Sequence, residues 1–286
     1  MLIPTKKLKN GYELPLYGLG LWEMGGRQEP DTSRDSEEIE AIQNAINEGV
    51  THIDTAESYG AGHAEELLGQ AIKGAERNKL ILASKVSGDN QSYDNLMRAF
   101  EASLKRVGVD YFDLYFLHRF PDIGIDIANT MRAMNELVDQ GVIRNIGVSN
   151  MSVERLKLAQ SLTPHKIVVN QVHYNLEVRE VEHKRLLEFC QQNDIFLEAY
   201  RPLQKGALNG GKLLDDLAAK YTKTPAQIAI NWLVSQDNVI TIAKTSNPAH
   251  LKENLAALDW RLDPEDIKLL RESYPNQQLE SDVIAL

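Results

Sequence analysis

The 286-residue chain predicts one α/β domain over residues 1–286, a (β/α)8 TIM barrel with an N-terminal β-hairpin. Three observations lead there: eight short β-branched or aromatic runs, amphipathic stretches between them, and an Asn-Gly pair ahead of the first run. In Leu8-Lys9-Asn10-Gly11-Tyr12-Glu13-Leu14 the Asn-Gly sits between strand-like flanks, a strong hairpin signal, and this hairpin is expected to close the barrel bottom. Tyr17-Gly18-Leu19-Gly20 is the first barrel strand, and the others are the runs at 51–54, 80–85, 111–118, 143–148, 167–172, 195–200 and 239–244. Helical spacing of three and four between apolar residues covers 36–47, 64–73, 93–106, 129–140 and 181–192. Such alternation implies a parallel sheet covered by helices, and eight repeats favour a closed barrel over an open doubly wound sheet. No Pro/Ser-rich linker divides the chain, although 25–36 and 205–212 read as long Gly-containing loops.

Composition narrows the function classes. A formal net charge of -10 and the lack of a Lys/Arg run of useful length argue against partners that are nucleic acid or anionic membrane. Cys190 is the single cysteine, so an intramolecular disulfide and a multi-cysteine zinc site are both excluded. Within Leu186-Leu187-Glu188-Phe189-Cys190 its thiol is expected to pack as a small hydrophobe. No segment approaches the roughly 18 consecutive apolar residues of a membrane span, so the expected location is cytoplasmic.

In this architecture active sites lie at the C-terminal ends of the strands and the loops that follow. The second strand ends in Asp54, and its loop runs Thr55-Ala56-Glu57-Ser58-Tyr59-Gly60; the third ends in Lys85 and the fourth in His118. Taken singly, Asp54 reads as a turn cap, Tyr59 as a surface aromatic, Lys85 as a solvated strand end and His118 as a barrel-lining histidine. Together they form a set, because an ammonium carried into the barrel mouth on an apolar strand needs a counter-ion, and Asp54 is the natural one. Carbonyl reduction fits: hydride arrives at carbon while a proton must reach oxygen. A phenol, with an ordinary pKa near ~10, stays protonated at neutral pH, and a neighbouring ammonium stabilises the phenolate left behind. His118 is placed to polarise or orient the carbonyl. A metal-dependent hydrolase using His52 and Asp54 is the rival, but with no His-Xaa-His pair and no second carboxylate-rich strand end, no metal is expected.

The segment Asp54-Thr55-Ala56-Xaa-Xaa-Tyr59-Gly60 resembles the signature of the aldo-keto reductase family. The likeness extends to Lys85 and His118 at the next two strand ends, then Gly147-Val148-Ser149-Asn150, Asn170-Gln171-Val172 and Lys244-Thr245-Ser246 in order, over roughly residues 7–260. It implies a catalytic tetrad of Asp54, Tyr59, Lys85 and His118, with Tyr59 the acid in reduction and the base in oxidation. It also implies NADPH/NADP+ as cofactor: Ser149, Asn150 and Gln171 at the nicotinamide carboxamide, Tyr200 against its ring, and Lys244, Thr245 and Ser246 at the adenosine 2′-phosphate. Asn254 and Glu253 fall near the adenine, and His250 stands where the family often has arginine, whose fork an imidazole cannot reproduce. Taken without the resemblance, Ser149-Asn150 can cap a helix over 151–160, Gln171 can be a buried structural amide, and Ser246 or Asn247 can be a helix cap. Lys244 can then be a plain strand-end charge. The chain has no Gly-Xaa-Gly-Xaa-Xaa-Gly after a strand, but the resemblance implies a cofactor lying extended across the rim without that turn.

Departures from the pattern are Arg201, where a serine is commoner, and Leu21, where a small polar residue often stands. Trp22 is a candidate wall of the substrate pocket or simple core; Arg119 points into that pocket or into solvent. The expected activity is NADPH-dependent reduction of an aldehyde or ketone to an alcohol, with a small-molecule carbonyl as partner. A cofactor-binding subunit without turnover is the alternative, and the presence of all four tetrad residues favours turnover. Substrate identity rests on the loops 22–36, 119–126 and 205–212 and on the tail 264–286; no motif speaks to oligomeric state.

Overall fold

The computed structural model describes residues 2–208 and 210–286. Strands β1 (Thr5–Lys7) and β2 (Glu13–Pro15) pair antiparallel with Lys6 opposite Leu14, and the turn closes through Gly11 N to Leu8 O at 2.9 Å. Ile3, Leu8 and Leu14 are buried, and Tyr12 packs its ring 6.2 Å from that of Phe196. The backbone N–H groups of Lys9 and Asn10 donate to the Asp194 carboxylate at 2.8 and 3.2 Å. Lys6 Nζ donates to the carbonyls of Val234, Gln236 and Val239. These anchors lie at the N-terminal ends of the strands Phe196–Tyr200 and Val239–Ala243 or in the segments that lead into them, so the hairpin covers the bottom as expected.

The barrel strands are β3 (Tyr17–Gly20), β4 (His52–Asp54), β5 (Ile81–Val86), β6 (Phe112–Leu117), β7 (Ile143–Ser149), β8 (Ile167–His173), β9 (Phe196–Tyr200) and β10 (Val239–Ala243). Each lies parallel beside the next, and β10 pairs with β3 to close the cylinder. Every strand end falls within one residue of its expected place. Strands buried on both faces read as continuous apolar runs, which is why those runs were visible.

The helices follow the expected order with two departures. The stretch 181–192 is two helices, Glu180–His183 and Leu186–Gln192, separated by Arg185 in the left-handed region at φ 57°. The apolar spacing survives the break because Val181, Leu186, Leu187 and Cys190 are buried on both sides of it. Pro225–Val234, capped by Thr224 and Gln227 in a reciprocal capping box, is buried almost all round. A helix so enclosed has no polar stripe, so amphipathic spacing did not mark it. Cys190 is a buried free thiol. No helix among the described residues is long and apolar enough to cross a membrane. After the helix Pro264–Ser273 the tail returns over the barrel mouth: Gln278 bridges to Val178, and the N–H groups of Ser281 and Leu286 donate to the Glu180 carboxylate.

Candidate active site

A groove of about 1100 Å³ opens at the C-terminal ends of the strands. Its floor is built by β4, β5 and the loop between β4 and the helix His63–Ala71. That loop is pinned to β5, Thr55 N donating to Ala83 O at 2.9 Å and Glu57 N to Lys85 O at 3.3 Å, and Tyr59 N closes a turn onto Ala56 O at 3.1 Å. The turn lays Tyr59 over Lys85. Lys85 Nζ donates to Asp54 Oδ2 at 2.5 Å, to Thr55 O at 2.9 Å and to Tyr59 OH at 3.3 Å. Lys85 does not itself line the groove; it is fully buried beneath Asp54 and Tyr59, which do. The His118 and Trp22 rings stand edge-on to Tyr59, with centroids 5.7 and 4.9 Å away.

The electrostatics separate the roles. Burial pulls the Lys85 pKa down, but Asp54 and Tyr59 outweigh it and hold the ammonium above its ordinary pKa. Burial pushes the Tyr59 phenol up, against the pull of Lys85, so it stays a proton donor. Burial, with the Lys85 and Arg119 charges, pushes His118 down to about 3, leaving a neutral imidazole whose Nδ1 lies 3.4 Å from Ser58 Oγ. The floor thus offers a phenol O–H backed by a cation beside a neutral ring able to donate one hydrogen bond.

Along the next strand ends, Ser149 Oγ donates to Gln171 O at 2.9 Å, Asn150 Nδ2 donates to Ser149 Oγ at 2.9 Å, and Tyr200 OH donates to Asn150 Oδ1 at 3.0 Å. Ser149, Asn150, Gln171 and Tyr200 all line the groove, and Tyr200 is backed by the His173 ring stacked 5.3 Å away. Ser149-Asn150 is not a helix cap: Asn150 has φ 55°, and the helix Val153–Ser161 is capped by Ser152, whose hydroxyl accepts from Arg155 N.

At the far end Lys244, Thr245, His250, Glu253 and Asn254 line the same groove. The helix Pro248–Leu255 starts there, capped by Asn247, whose side chain accepts from Ala249 N at 2.8 Å; Ser246 is not the cap. Ser246 lies outside the groove lining, with its Oγ buried and unpartnered. Lys205 pairs with Glu23 and Lys252 reaches Glu48, but Lys244 and His250 are exposed and form no ion pair among the described residues. Asn254 donates to Tyr17 OH at 3.2 Å. Arg119 is at the mouth, its guanidinium half exposed and 2.8 Å from Asp122. Arg201 also lines the groove, in the left-handed region at φ 54° and 3.7 Å from Asp282 of the tail.

One buried ionisable residue, Glu198, escaped the sequence reading as a site component, and another, His52, was considered only for a metal site. Glu198 Oε1 lies 2.7 Å from His52 Nε2, while Glu198 Oε2 accepts from Gln171 Nε2 at 2.6 Å. Gln171 Nε2 also donates to Asp54 Oδ1 at 3.0 Å. The available signal was a glutamate in the middle of the apolar run Phe196–Tyr200. His52, considered above as a metal ligand with Asp54, instead faces Glu198 and Ile81 O.

Comparison with known proteins shows the family and the fold. The family model described as "Aldo/keto reductase family" matches residues 17–275. Methylglyoxal reductase YeaE of Escherichia coli is 37% identical over 268 residues, 92% of either chain. Glyoxal reductase of Bacillus subtilis is 36% identical over 266 residues, 92% of this chain and 90% of that protein. Among solved structures, a thermostable aldo-keto reductase in complex with the inhibitor epalrestat superposes with a TM-score of 0.92 at 44% identity, covering 94% of this chain and 99% of its own. An aldo-keto reductase from Klebsiella pneumoniae in complex with NADPH gives 0.87 at 34% identity, covering 97% of either chain.

Proposed function

This chain is an oxidoreductase belonging to the aldo/keto reductase family, and from that premise we propose that it reduces small aldehydes and ketones, glyoxal and methylglyoxal among them, with NADPH. One observation carries the reading: Tyr59 OH lies 3.3 Å from a buried Lys85 ammonium that Asp54 holds at 2.5 Å, on the floor of the groove. When bound, NADPH supplies the hydride that reaches the carbonyl carbon. Tyr59 gives its phenolic proton to the carbonyl oxygen, and Lys85 stabilises the phenolate that remains. Asp54 keeps Lys85 charged. Neutral His118 orients the carbonyl by donating a hydrogen bond, without competing for the proton.

The groove's polar groups suit the dinucleotide. Ser149, Asn150 and Gln171 are the residues that would hold the carboxamide, with Tyr200 beside the ring. Lys244, a cation without a carboxylate partner among the described residues, stands with His250 and Thr245 at a helix N-terminus, a donor set suited to a 2′-phosphate. The unpartnered Ser246 Oγ adds a hydroxyl at that turn. Glu253 and Asn254 would flank the adenine. Relatives support the same assignment, since two Klebsiella pneumoniae structures carry NADPH or NADP. Trp22 and Arg119 are the proposed walls of the substrate end.

The test is NADPH oxidation followed by absorbance with glyoxal, methylglyoxal and larger carbonyls, repeated with NADH. Turnover is expected with NADPH, and Lys244→Ala is expected to weaken NADPH binding roughly tenfold while barely changing NADH. Tight NADPH binding with no oxidation on any carbonyl would instead establish the non-catalytic subunit.

A further inference from the structure

His52 and Glu198 are both fully buried, 146 residues apart in the chain, and face each other across the barrel interior between β4 and β9. A buried charge pair far from any surface has a desolvation cost that hydrophobic residues of the same size would avoid. The pair is also built with care. A Cβ at Gly18 would lie 2.6 Å from His52 Cδ2 and 3.0 Å from its carbonyl oxygen, so only glycine at that point of β3 leaves room for the imidazole. Nδ1 of His52 faces Ile81 O at 3.3 Å, and a carbonyl can only accept, so Nδ1 carries a proton and Nε2 is the atom turned to Glu198. For Glu198 and His52 alike, burial opposes the charged form, but their mutual attraction outweighs it, raising the His52 pKa and lowering that of Glu198.

What this pair touches gives it a role. Glu198 Oε2 takes one hydrogen of the Gln171 side-chain amide and Asp54 Oδ1 takes the other. An amide nitrogen has two hydrogens, so both are spent inside the barrel. The backbone of Gln171 is fixed as well, its carbonyl accepting from Ser149 Oγ and from Asn150 N. The polar atom of that side chain left for the groove is its carbonyl oxygen. With Asp54 as the sole carboxylate, the nitrogen would retain a free hydrogen and the amide could turn over, presenting a donor where an acceptor is wanted.

We infer that Glu198, charge-balanced by His52, is a positioning residue that locks the Gln171 amide so that its oxygen accepts from the carboxamide NH2 of the nicotinamide. The inference rests on the cofactor assignment proposed above. It joins Ile81, His52, Glu198, Gln171, Asp54, Lys85 and Tyr59 into one string that serves both halves of the reaction. The same Asp54 that charges Lys85 for proton transfer also orients Gln171 for the ring that delivers hydride.

The test compares dissociation constants, read by quenching of tryptophan fluorescence, for NADPH and for its 3-acetylpyridine analogue, which keeps an acceptor oxygen but carries methyl in place of NH2. The wild-type protein is expected to favour NADPH roughly fivefold or more, the worth of about one hydrogen bond. In His52→Leu/Glu198→Leu, which replaces the ion pair by apolar groups of similar size, that ratio is expected to fall to about one, with NADPH binding alone weakened. Glu198→Gln is expected to keep the ratio, because its amide can donate to neutral His52 Nε2 and still accept from Gln171. A purely structural pair would weaken both ligands equally and leave the ratio intact, which overturns the inference, as does a wild-type ratio of one. If the double variant does not fold, Glu198→Ala carries the same comparison. Failure of wild-type protein to bind NADPH at all refutes the cofactor assignment instead.

Discussion

Lys6, at the centre of hairpin strand β1 beneath the barrel, and Lys85, near the end of β5 at its mouth, both spend their N–H donors inside the protein, yet their partners differ. Lys6 spends its three N–H donors on three backbone carbonyls, those of Val234, Gln236 and Val239, at 2.8, 2.5 and 2.7 Å. Among the described residues no carboxylate bonds it directly, and burial pulls its pKa down to about 7, against the more distant Asp237 charge. Lys85 spends one donor on a carboxylate, one on a carbonyl and one on a phenol, and the carboxylate holds it above its ordinary value. The carbonyl-bound lysine ties a hairpin to a barrel; the carboxylate-bound one tunes a neighbour's acidity. The partner, not the residue type, separates a clasp from the group proposed to assist proton transfer.

That contrast can be broken most severely at the mouth. Tyr59→Phe removes the transferable proton and leaves the rest of the floor in place. Turnover is expected to drop by about 10²- to 10⁴-fold with NADPH affinity unchanged, as stopped-flow rates and fluorescence titration on the same sample will show. Near wild-type turnover would end the assignment.

Lys85→Met is expected to lose on two counts. Asp54 is left buried without its cation, costing about 3–5 kcal/mol in urea unfolding, and the turnover falls because the phenolate loses its stabilising charge. In the oxidation direction Tyr59 must first give up its proton. Since Lys85 acts to lower that pKa, its removal moves the alkaline rise in rate to higher pH. An unmoved profile would place Lys85 with Lys6, as a clasp alone.

Lys6→Met sharpens the other side. It orphans carbonyls at the bottom of the barrel and is expected to cost about 1–3 kcal/mol in the same unfolding experiment, with kcat and KM unchanged. A loss of turnover in the folded variant would mean that the two ends are coupled.

The smallest effect expected is none. Tyr59 is pushed above the usual phenol range and His118 down to about 3, so neither changes protonation between about pH 6 and 9, and the reduction rate at saturating substrate should be flat across that window. A step near pH 6.5 would show a His118 that protonates in solution.

The sequence alone determined the barrel and the positions of the residues proposed to react. Period-2 and period-3.6 patterns are local properties of the chain, and in this architecture the strand ends are where function gathers, so Asp54, Tyr59, Lys85 and His118 could be found by looking there. The same holds for the Asn-Gly hairpin, whose turn chemistry lies within a few residues. The break at Arg185 was hidden because the apolar spacing runs through it, and the helix Pro225–Val234 because it is buried on every side. What the tertiary structure decided is partnership: that Lys85 lies under the floor and not on it, that Lys244 and His250 share one end of the groove, and that Glu198 meets His52 across the barrel interior. Pairs of this kind join residues up to 146 positions apart, and closure of the cylinder, which no local pattern encodes, sets which strand faces which.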